Sequence, residues 1–373
     1  MVVVPPILPL LLSTLALADC ECGYSLSTTG PSSSSTYVFT DLVESNFACL
    51  HDISKNTDWV RQEFNLSKSR ARGEYGEMFA VDNVATNPMQ IDNADSGRLG
   101  AEGSEDSAGL QLIVRRELVE EMVPVAEIDT HRLDMFWGSF RASMRMTNVS
   151  GTCAAFFWYF NDTQEIDIEF LSKDFNTTNS SYPVNLVLQS REAMQAGFNA
   201  ALTSNFVKAY LPFNPAAAFH EYRIDYVPGR VFFYADGALL AKMDGPAVPT
   251  SPGHLILQHW SNGNPLWTGG PPAQDTVLTV RYVKAYFNSS TPERNRDWAS
   301  RCKNPAAAEA VCRIPDLTAA NLSAASWFFS EHGNMTNNQT VYQESGASRQ
   351  EFLWPKLWKL VGVLMAWGCL LTS

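Results

Sequence analysis

The chain of 373 residues reads as all-β, a sandwich or a barrel. Three observations point there. From Tyr37 onward, short apolar runs are separated by Gly, Pro, Asn and Asp, the spacing of strands and turns. No long stretch carries the 3.6-residue period of an amphipathic helix, which argues against alternating α/β. The segment Glu165-Ile166-Asp167-Ile168-Glu169 alternates acid with β-branched aliphatic, the two-residue period of a strand.

In chain order, Met1–Ala18 is a Pro-broken apolar run with small residues before Asp19. It has the form of a secretory signal without the usual positive start. Residues 19–36 follow as a Cys-containing segment with a Gly/Ser spacer over 30–35. The main β domain is expected over 37–290. Within it, Ala94–Gly109 is polar and Gly/Ser-rich, a loop, and Leu110–Val114 a strand. His131–Arg145 holds Phe136, Trp137 and Phe140 around a glycine. Asn185–Leu188 is a strand expected to pair near the acids. Two strands, Phe219–Asp225 and Arg230–Asp236, flank a Pro228-Gly229 turn, where Pro presets φ and Gly permits reversal. His220, in the first of these strands, is expected to be structural. Leu255–Trp260 is an apolar strand that runs into a Gly/Asn loop with Trp267, and Thr276–Phe287 alternates as a strand.

Residues 291–346 shift to Pro, Ala, Asn and Ser, the composition of an extension leading to an anchor, with a small cap or carbohydrate-binding element as the other reading. Residues 347–373 then carry an apolar tail, Leu357–Leu371, too short for a spanning helix of about 20 residues. Small residues (Ser345, Gly346, Ser348), a spacer and an apolar tail are the order of a glycolipid-anchor signal.

Net charge is −12, yet only 18% of residues are charged. No basic cluster exists to bind nucleic acid, and a neutral polysaccharide suits this balance. Six cysteines outside the tail are disulfide candidates, an even count in an exported chain. Cys302 and Cys312 are expected to pair locally, and Cys20 and Cys22 to join Cys49 and Cys153 in an unfixed order. No His/Cys spacing suggests a metal site. Glycosylation sequons occur at Asn65, Asn148, Asn161, Asn176, Asn179, Asn288, Asn321, Asn334 and Asn338, which marks those positions as expected surface.

The acid row is where chemistry is expected. As a strand, it places Glu165, Asp167 and Glu169 on one face and Ile166, Ile168 and Phe170 on the other. Like charges in a row cost stability, so a solvated edge strand or a use for the charges must explain them. The run Phe156-Phe157-Trp158-Tyr159-Phe160 leads straight into the row, an uncommon aromatic mass for an idle surface. A hard cation needs oxygens converging on one point, which a straight strand does not offer. Glycosyl transfer needs two carboxyls flanking a scissile bond, with aromatic surface for sugar rings. Residues four apart on a strand lie about 13 Å apart at Cα. Leaning side chains can close that to the roughly 5–5.5 Å of a retaining pair.

The row resembles the Glu-x-Asp-x-Glu signature of glycoside hydrolase family 16. The run FHEYRIDYVPGRVFFYADG resembles that family's His-x-Tyr-x-Ile-x-Trp … Trp-Tyr-x-Asp-Gly stretch, with Tyr226 and Phe233 standing at the Trp positions. His131–Arg145 is similar to its Tyr-Gly-x-Phe-x-Ala strand, with Trp137 where an aromatic is usual, and Trp260 with the Gly-Gly loop to its penultimate strand. The likeness covers about Phe39–Phe287. It implies a β-jelly-roll sandwich of the lectin/glucanase type, with Glu165 as nucleophile, Asp167 assisting and Glu169 as acid/base. Trp137, Trp158, Trp260 and Trp267 become candidate sugar-stacking residues, although strand parity turns Trp158 away from the acids. The implied substrate is β-1,3- or β-1,3/1,4-glucan of a fungal wall, cut by a retaining hydrolase. Transfer of glucan or chitin onto glucan by a wall transglycosylase, and a non-catalytic wall-binding protein, are the alternatives. No cofactor is implied and no calcium ligand can be assigned. The chain is expected to act as a monomer outside the plasma membrane.

Overall fold

A computed structural model describes residues 19–29, 34–87, 107–332 and 335. The expected secretory signal, the anchor signal and the sequons at Asn334 and Asn338 lie outside the described residues, as does most of the loop expected at 94–109.

The chain begins with strands β1 (Gly23–Thr29), β2 (Ser34–Phe39), β3 (Asp41–Asn46), β4 (Trp59–Arg61) and β5 (Phe64–Leu66). A short helix α1 (Lys68–Ala71) precedes β6 (Gly76–Phe79), β7 (Val84–Asn87), β8 (Gly109–Val114), β9 (Met122–Thr130) and β10 (Met135–Arg145). Strands β11 (Cys153–Asn161), β12 (Gln164–Leu171) and β13 (Pro183–Gln189) come next, then α2 (Arg191–Gln195), β14 (Phe206–Tyr210), β15 (His220–Val227) and β16 (Arg230–Ala235). The series ends with β17 (Ala238–Asp244), β18 (His254–Trp260), β19 (Thr276–Ser289), helix α3 (Pro292–Arg301) and β20 (Val311–Arg313).

Two large sheets stack face to face. One has the order β17-β16-β15-β10-β19-β8-β7, with β3 also on β19. The other runs β14-β13-β12-β11-β18-β9-β6-β5, with β4 also on β9. Neighbours are antiparallel except β6 and β9. This is the sandwich expected, and its layers follow from alternation. Phe140, Ala142 and Met144 of one sheet meet Phe156, Trp158, Ile166, Ile168 and Leu257 of the other in one continuous core. Burying each large apolar side chain stabilises the fold by about 1.5–3 kcal/mol. The Pro228-Gly229 hairpin forms between β15 and β16, with Gly229 at φ +72°. His220 stacks on Phe213 with ring centroids 3.5 Å apart, and its Nδ1 lies 2.7 Å from Asp236. It is structural, as expected.

A third layer covers the back of the β10/β15/β19 sheet. Strand β1 pairs with β2 and, in parallel, with β20, so the N-terminal segment and the C-terminal extension are woven together. The expected boundary after residue 36 falls inside β2. Beneath this layer lie charged side chains that could not be buried unpaired. Lys284 is buried, and its Nζ donates to the carbonyls of Ala324, Ala325 and Trp327 at 2.9, 3.1 and 2.6 Å. Arg141 donates to the Pro315 carbonyl at 2.7 Å, and Arg223 to Asp316 Oδ1 at 2.7 Å. The extension over 311–332 is therefore a strap on the back of the sandwich, not an element at the acid row.

This layer overturns the expected disulfide pairing. Cys20 bonds to Cys312, with Cα atoms 5.0 Å apart, and Cys22 to Cys302, 4.6 Å apart. The parallel register of β1 on β20 sets Tyr24 opposite Cys312 and so brings Cys20 and Cys22 to the strap. Helix α3 carries Cys302 in, its Trp298 Nε1 donating to the Cys22 carbonyl at 3.1 Å. Local Cys302–Cys312 pairing fails because one residue caps a helix and the other lies in a strand, each held against the N-terminal segment. Cys49 and Cys153 are free thiols, the first in the turn after β3 and the second at the start of β11.

Candidate active site

Strand β12 turns Ile166, Ile168 and Phe170 into the core and leaves Glu165, Asp167 and Glu169 on the outer face of its sheet. The strand is third from the sheet's end, so neighbours wall the acids on both sides. From β11, Tyr159 stands opposite Glu165, Phe157 opposite Asp167 and Ala155 opposite Glu169. From β13, Gln189, Val187 and Asn185 stand opposite the same three residues. Directly paired residues share a face, so this floor extends over β18 to His254, Gln258 and Trp260, and over β9 to Glu127 and Asp129.

The three carboxyls share one burial and differ in their partners. Burial drives each pKa up. Asp167 goes well above the carboxylate range because the charges of Glu165 and Glu169 add to its burial. Burial carries Glu165 to about 7, held back by a hydrogen bond from protonated Asp167 that favours its ionised form. Glu169 rises to about 7 by burial, held back by hydrogen bonds from Cys153 and the Trp267 indole. The Cys153 thiol lies 3.6 Å from Glu169 Oε1. Asp167 Oδ1, Asn185 Oδ1 and Gln189 Oε1 are buried acceptors with no hydrogen-bond partner among the described residues.

Of the four tryptophans expected at sugar sites, the structure brings two to the acids. Trp267 donates to Glu169, and Trp260 sits on the acid face opposite Cys153, half-buried against Phe79 and Val125. Trp158 does not join them. Its strand parity sends it into the core, fully buried, where Nε1 donates to the Met135 carbonyl at 3.1 Å. Trp137 belongs to the other sheet. It is the extra residue at an irregularity in the β10/β19 register, at φ +46°, stacked on Phe136. It lines a separate cavity of about 330 Å³ with Pro228, Pro246, Val248 and Thr250. The sequons at Asn65, Asn148, Asn176 and Asn179 are exposed, while Asn161, Asn288 and Asn321 are partly covered.

Sequence reasoning missed several residues of this face. Glu127-Ile128-Asp129 repeats the acid/aliphatic alternation of Glu165-Ile166-Asp167, a legible signal for a second acidic strand on the same face. Glu127 accepts from the Gln258 amide. Burial carries Glu127 to about 7 and Glu77, near Glu127, to about 8. Cys153 reads from sequence as a disulfide candidate, and Arg72 carries no signal. No group of three or more His, Cys, Asp or Glu among the described residues is arranged to hold a metal ion.

Residues 104–283 match the family model described as glycosyl hydrolases family 16. A beta-glucanase of Paenibacillus macerans is 31% identical over 140 residues, which are 36% of this chain and 52% of that protein. The beta-glucanase of Bacillus subtilis (strain 168) is 28% identical over 158 residues, 40% and 59% of the two chains. The Crh-like protein 2 of Botryotinia fuckeliana (strain B05.10) is 25% identical over 191 residues, 44% and 39% of the two. The chain thus spans about half the length of the curated beta-glucanases it matches. Among solved structures, the Bacillus licheniformis beta-glucanase superposes with a TM-score of 0.48 at 17% identity, over 66% of this chain and 97% of that one. The matched segment contains the acid row, β18 and most of both sheets, and over residues 104–283 the chain is similar to glycosyl hydrolases family 16.

Proposed function

We propose that the chain is a retaining glycosidase acting on β-glucan, with Glu165 as nucleophile and Glu169 as acid/base. The observation that carries this reading is a pair of buried glutamates on one strand face, both raised to about 7 by burial, that differ in their hydrogen-bond partners. Glu165 receives a hydrogen bond from protonated Asp167, which favours an ionised nucleophile. Glu169 is poised near neutrality, where a carboxyl both gives and takes a proton. In the first step Glu165 bonds to the anomeric carbon while Glu169 passes its proton to the departing glycosidic oxygen. In the second, Glu169 takes a proton from the incoming hydroxyl, which displaces Glu165 from the anomeric carbon. Trp260 and Trp267 supply flat surface for sugar rings, and the open acceptors of Asp167, Asn185 and Gln189 suit sugar hydroxyls.

Two disulfides support folding in an oxidising compartment, in keeping with an exported enzyme that meets wall glucan, held by a lipid anchor. When water is the incoming hydroxyl the reaction is hydrolysis; when it belongs to glucan or chitin the reaction is transglycosylation.

The test is turnover of laminarin-type glucan by wild type, Glu165→Gln and Glu169→Gln. Each variant is expected to lose at least about 10²-fold; full activity in either overturns the assignment. Wild type that binds glucan and never cleaves it would make the chain a wall-binding protein. Labelled glucan and chitin oligosaccharides at high acceptor concentration then separate shortened from elongated or hybrid products.

A further inference from the structure

The acid face is not an open groove. Loop 190–205, which follows β13, folds back over it: Val187, opposite Asp167, is covered by Ala193 and Ala200. The loop turns at Phe198, which adopts φ +61° and donates its N–H to the Ala193 carbonyl at 2.8 Å. From the other side comes Arg72, the left-handed residue that ends α1, at φ +58°. Its backbone is clamped by the loop that carries Trp267. Asn262 Nδ2 donates to the Ala71 carbonyl at 2.6 Å and Asn264 Nδ2 to the Arg72 carbonyl at 3.2 Å. Gly73 permits this approach, since a Cβ there would lie 2.1 Å from the Asn262 carbonyl oxygen. The Arg72 guanidinium sits over the Phe198 ring, 5.1 Å from its centroid. Its charge reaches both Glu165 and Glu169, which places the contact beside the acid row. Strand order puts β13 and β6, the strands next to these two loops, on opposite sides of β12 and β11.

We propose that Arg72 and Phe198 form a roof across the cleft, so that they set which glucans reach the acids: short chains and chain ends pass beneath, whereas the interior of a long chain must first break the contact. This rests on the glucan-active reading above. A roof anchored in two clamped loops differs from a simple pair of sugar contacts, because removing either half frees the same passage.

The experiment compares wild type, Arg72→Ala, Phe198→Ala and the double variant on a short laminari-oligosaccharide and on a long, end-reduced β-1,3-glucan. Each single variant is expected to raise the polymer-to-oligosaccharide ratio of kcat/KM about two- to fivefold, the factor set by an exposed cation–π contact. The double variant is expected to gain no more than either single one. An unchanged ratio, or equal loss on both substrates, overturns the roof. Wild type inactive on both substrates defeats the glucan-active reading instead, so the two failures are distinguishable.

Discussion

The thiol of Cys153 donates to Glu169 Oε1 across 3.6 Å, which makes a residue outside the acid row a partner of the proposed acid/base. Burial and the neighbouring Glu169 charge push the thiol pKa far up, so it stays a donor at neutral pH. Cys153→Ala removes a bond to the ionised form of Glu169, and the Glu169 pKa moves higher. Turnover is expected to fall about fivefold, from a hydrogen bond of about 1 kcal/mol. The basic limb of the pH–rate profile is expected to shift upward. Cys153→Ser keeps a donor and should hold that limb near the wild-type position. A merely structural thiol would change thermal stability and leave the limb in place.

Asp167 acts through Glu165. Asp167→Asn retains an N–H donor toward Glu165 and is expected to cost about tenfold in turnover. Asp167→Ala leaves Glu165 without it and is expected to cost at least about a hundredfold. Steady-state kinetics on glucan read both; equal losses in the two variants would remove Asp167 from the mechanism.

The local pattern made the acid row and the layering legible, because a two-residue period sorts side chains between a core and an open face. That same parity already turned Trp158 inward. Trp137 was misplaced because a one-residue irregularity in β10 and membership of the opposite sheet leave no trace in spacing. The disulfides were misread for a similar reason. A separation of 292 residues between Cys20 and Cys312 is set by the parallel pairing of β1 with β20, a long-range register that local spacing does not encode. Arg72 was invisible because its position depends on Asn262 and Asn264, nearly two hundred residues away.

Stability should fall as pH rises above neutrality. Glu77, Glu127, Asp129, Glu165, Asp167 and Glu169 all have raised folded pKa values. Such groups bind more protons folded than unfolded, so their stabilisation is complete below about pH 4 and is lost as pH climbs through the folded values. His254 and His259, both lowered to about 4 by burial, act in the opposite sense, but only below their unfolded value of about 6.5. Lys284, lowered to about 8 by burial, opposes the carboxyls as well, but as one group against six, so between about pH 6.5 and about pH 8 the carboxyls set the slope. Denaturant unfolding across that range is expected to show decreasing free energy, and Asp167→Asn a shallower decrease. Rising stability would contradict the protonated floor.

Lys284 ties the strap to the sandwich. Its ammonium is held by three carbonyls, and burial lowers its pKa to about 8. Lys284→Met leaves those carbonyls without their donor and is expected to cost about 1–3 kcal/mol of unfolding free energy. The strap lies behind the β10/β15/β19 sheet, so kcat/KM below the melting transition should stay within about twofold of wild type, as for sites with no shared partner. A large kinetic loss without destabilisation would instead connect the strap to the acid face.

The two disulfides close the chain between its N-terminal segment and the strap, so their pairing can be read by coupling. Cys22→Ser and Cys302→Ser break the same bond. Each is expected to cost about 2–5 kcal/mol, and the double variant no more than either alone. Cys20→Ser and Cys312→Ser should behave as a second such pair. Non-reducing peptide maps are expected to recover Cys20 with Cys312 and Cys22 with Cys302, leaving Cys49 and Cys153 as thiols. If Cys302 and Cys312 were bonded to each other, their two single variants would be the coupled pair, and the map would yield one short C-terminal loop peptide. The parallel β1/β20 ladder then could not hold its register, because Tyr24 opposite Cys312 places that half-cystine beside the N-terminal segment.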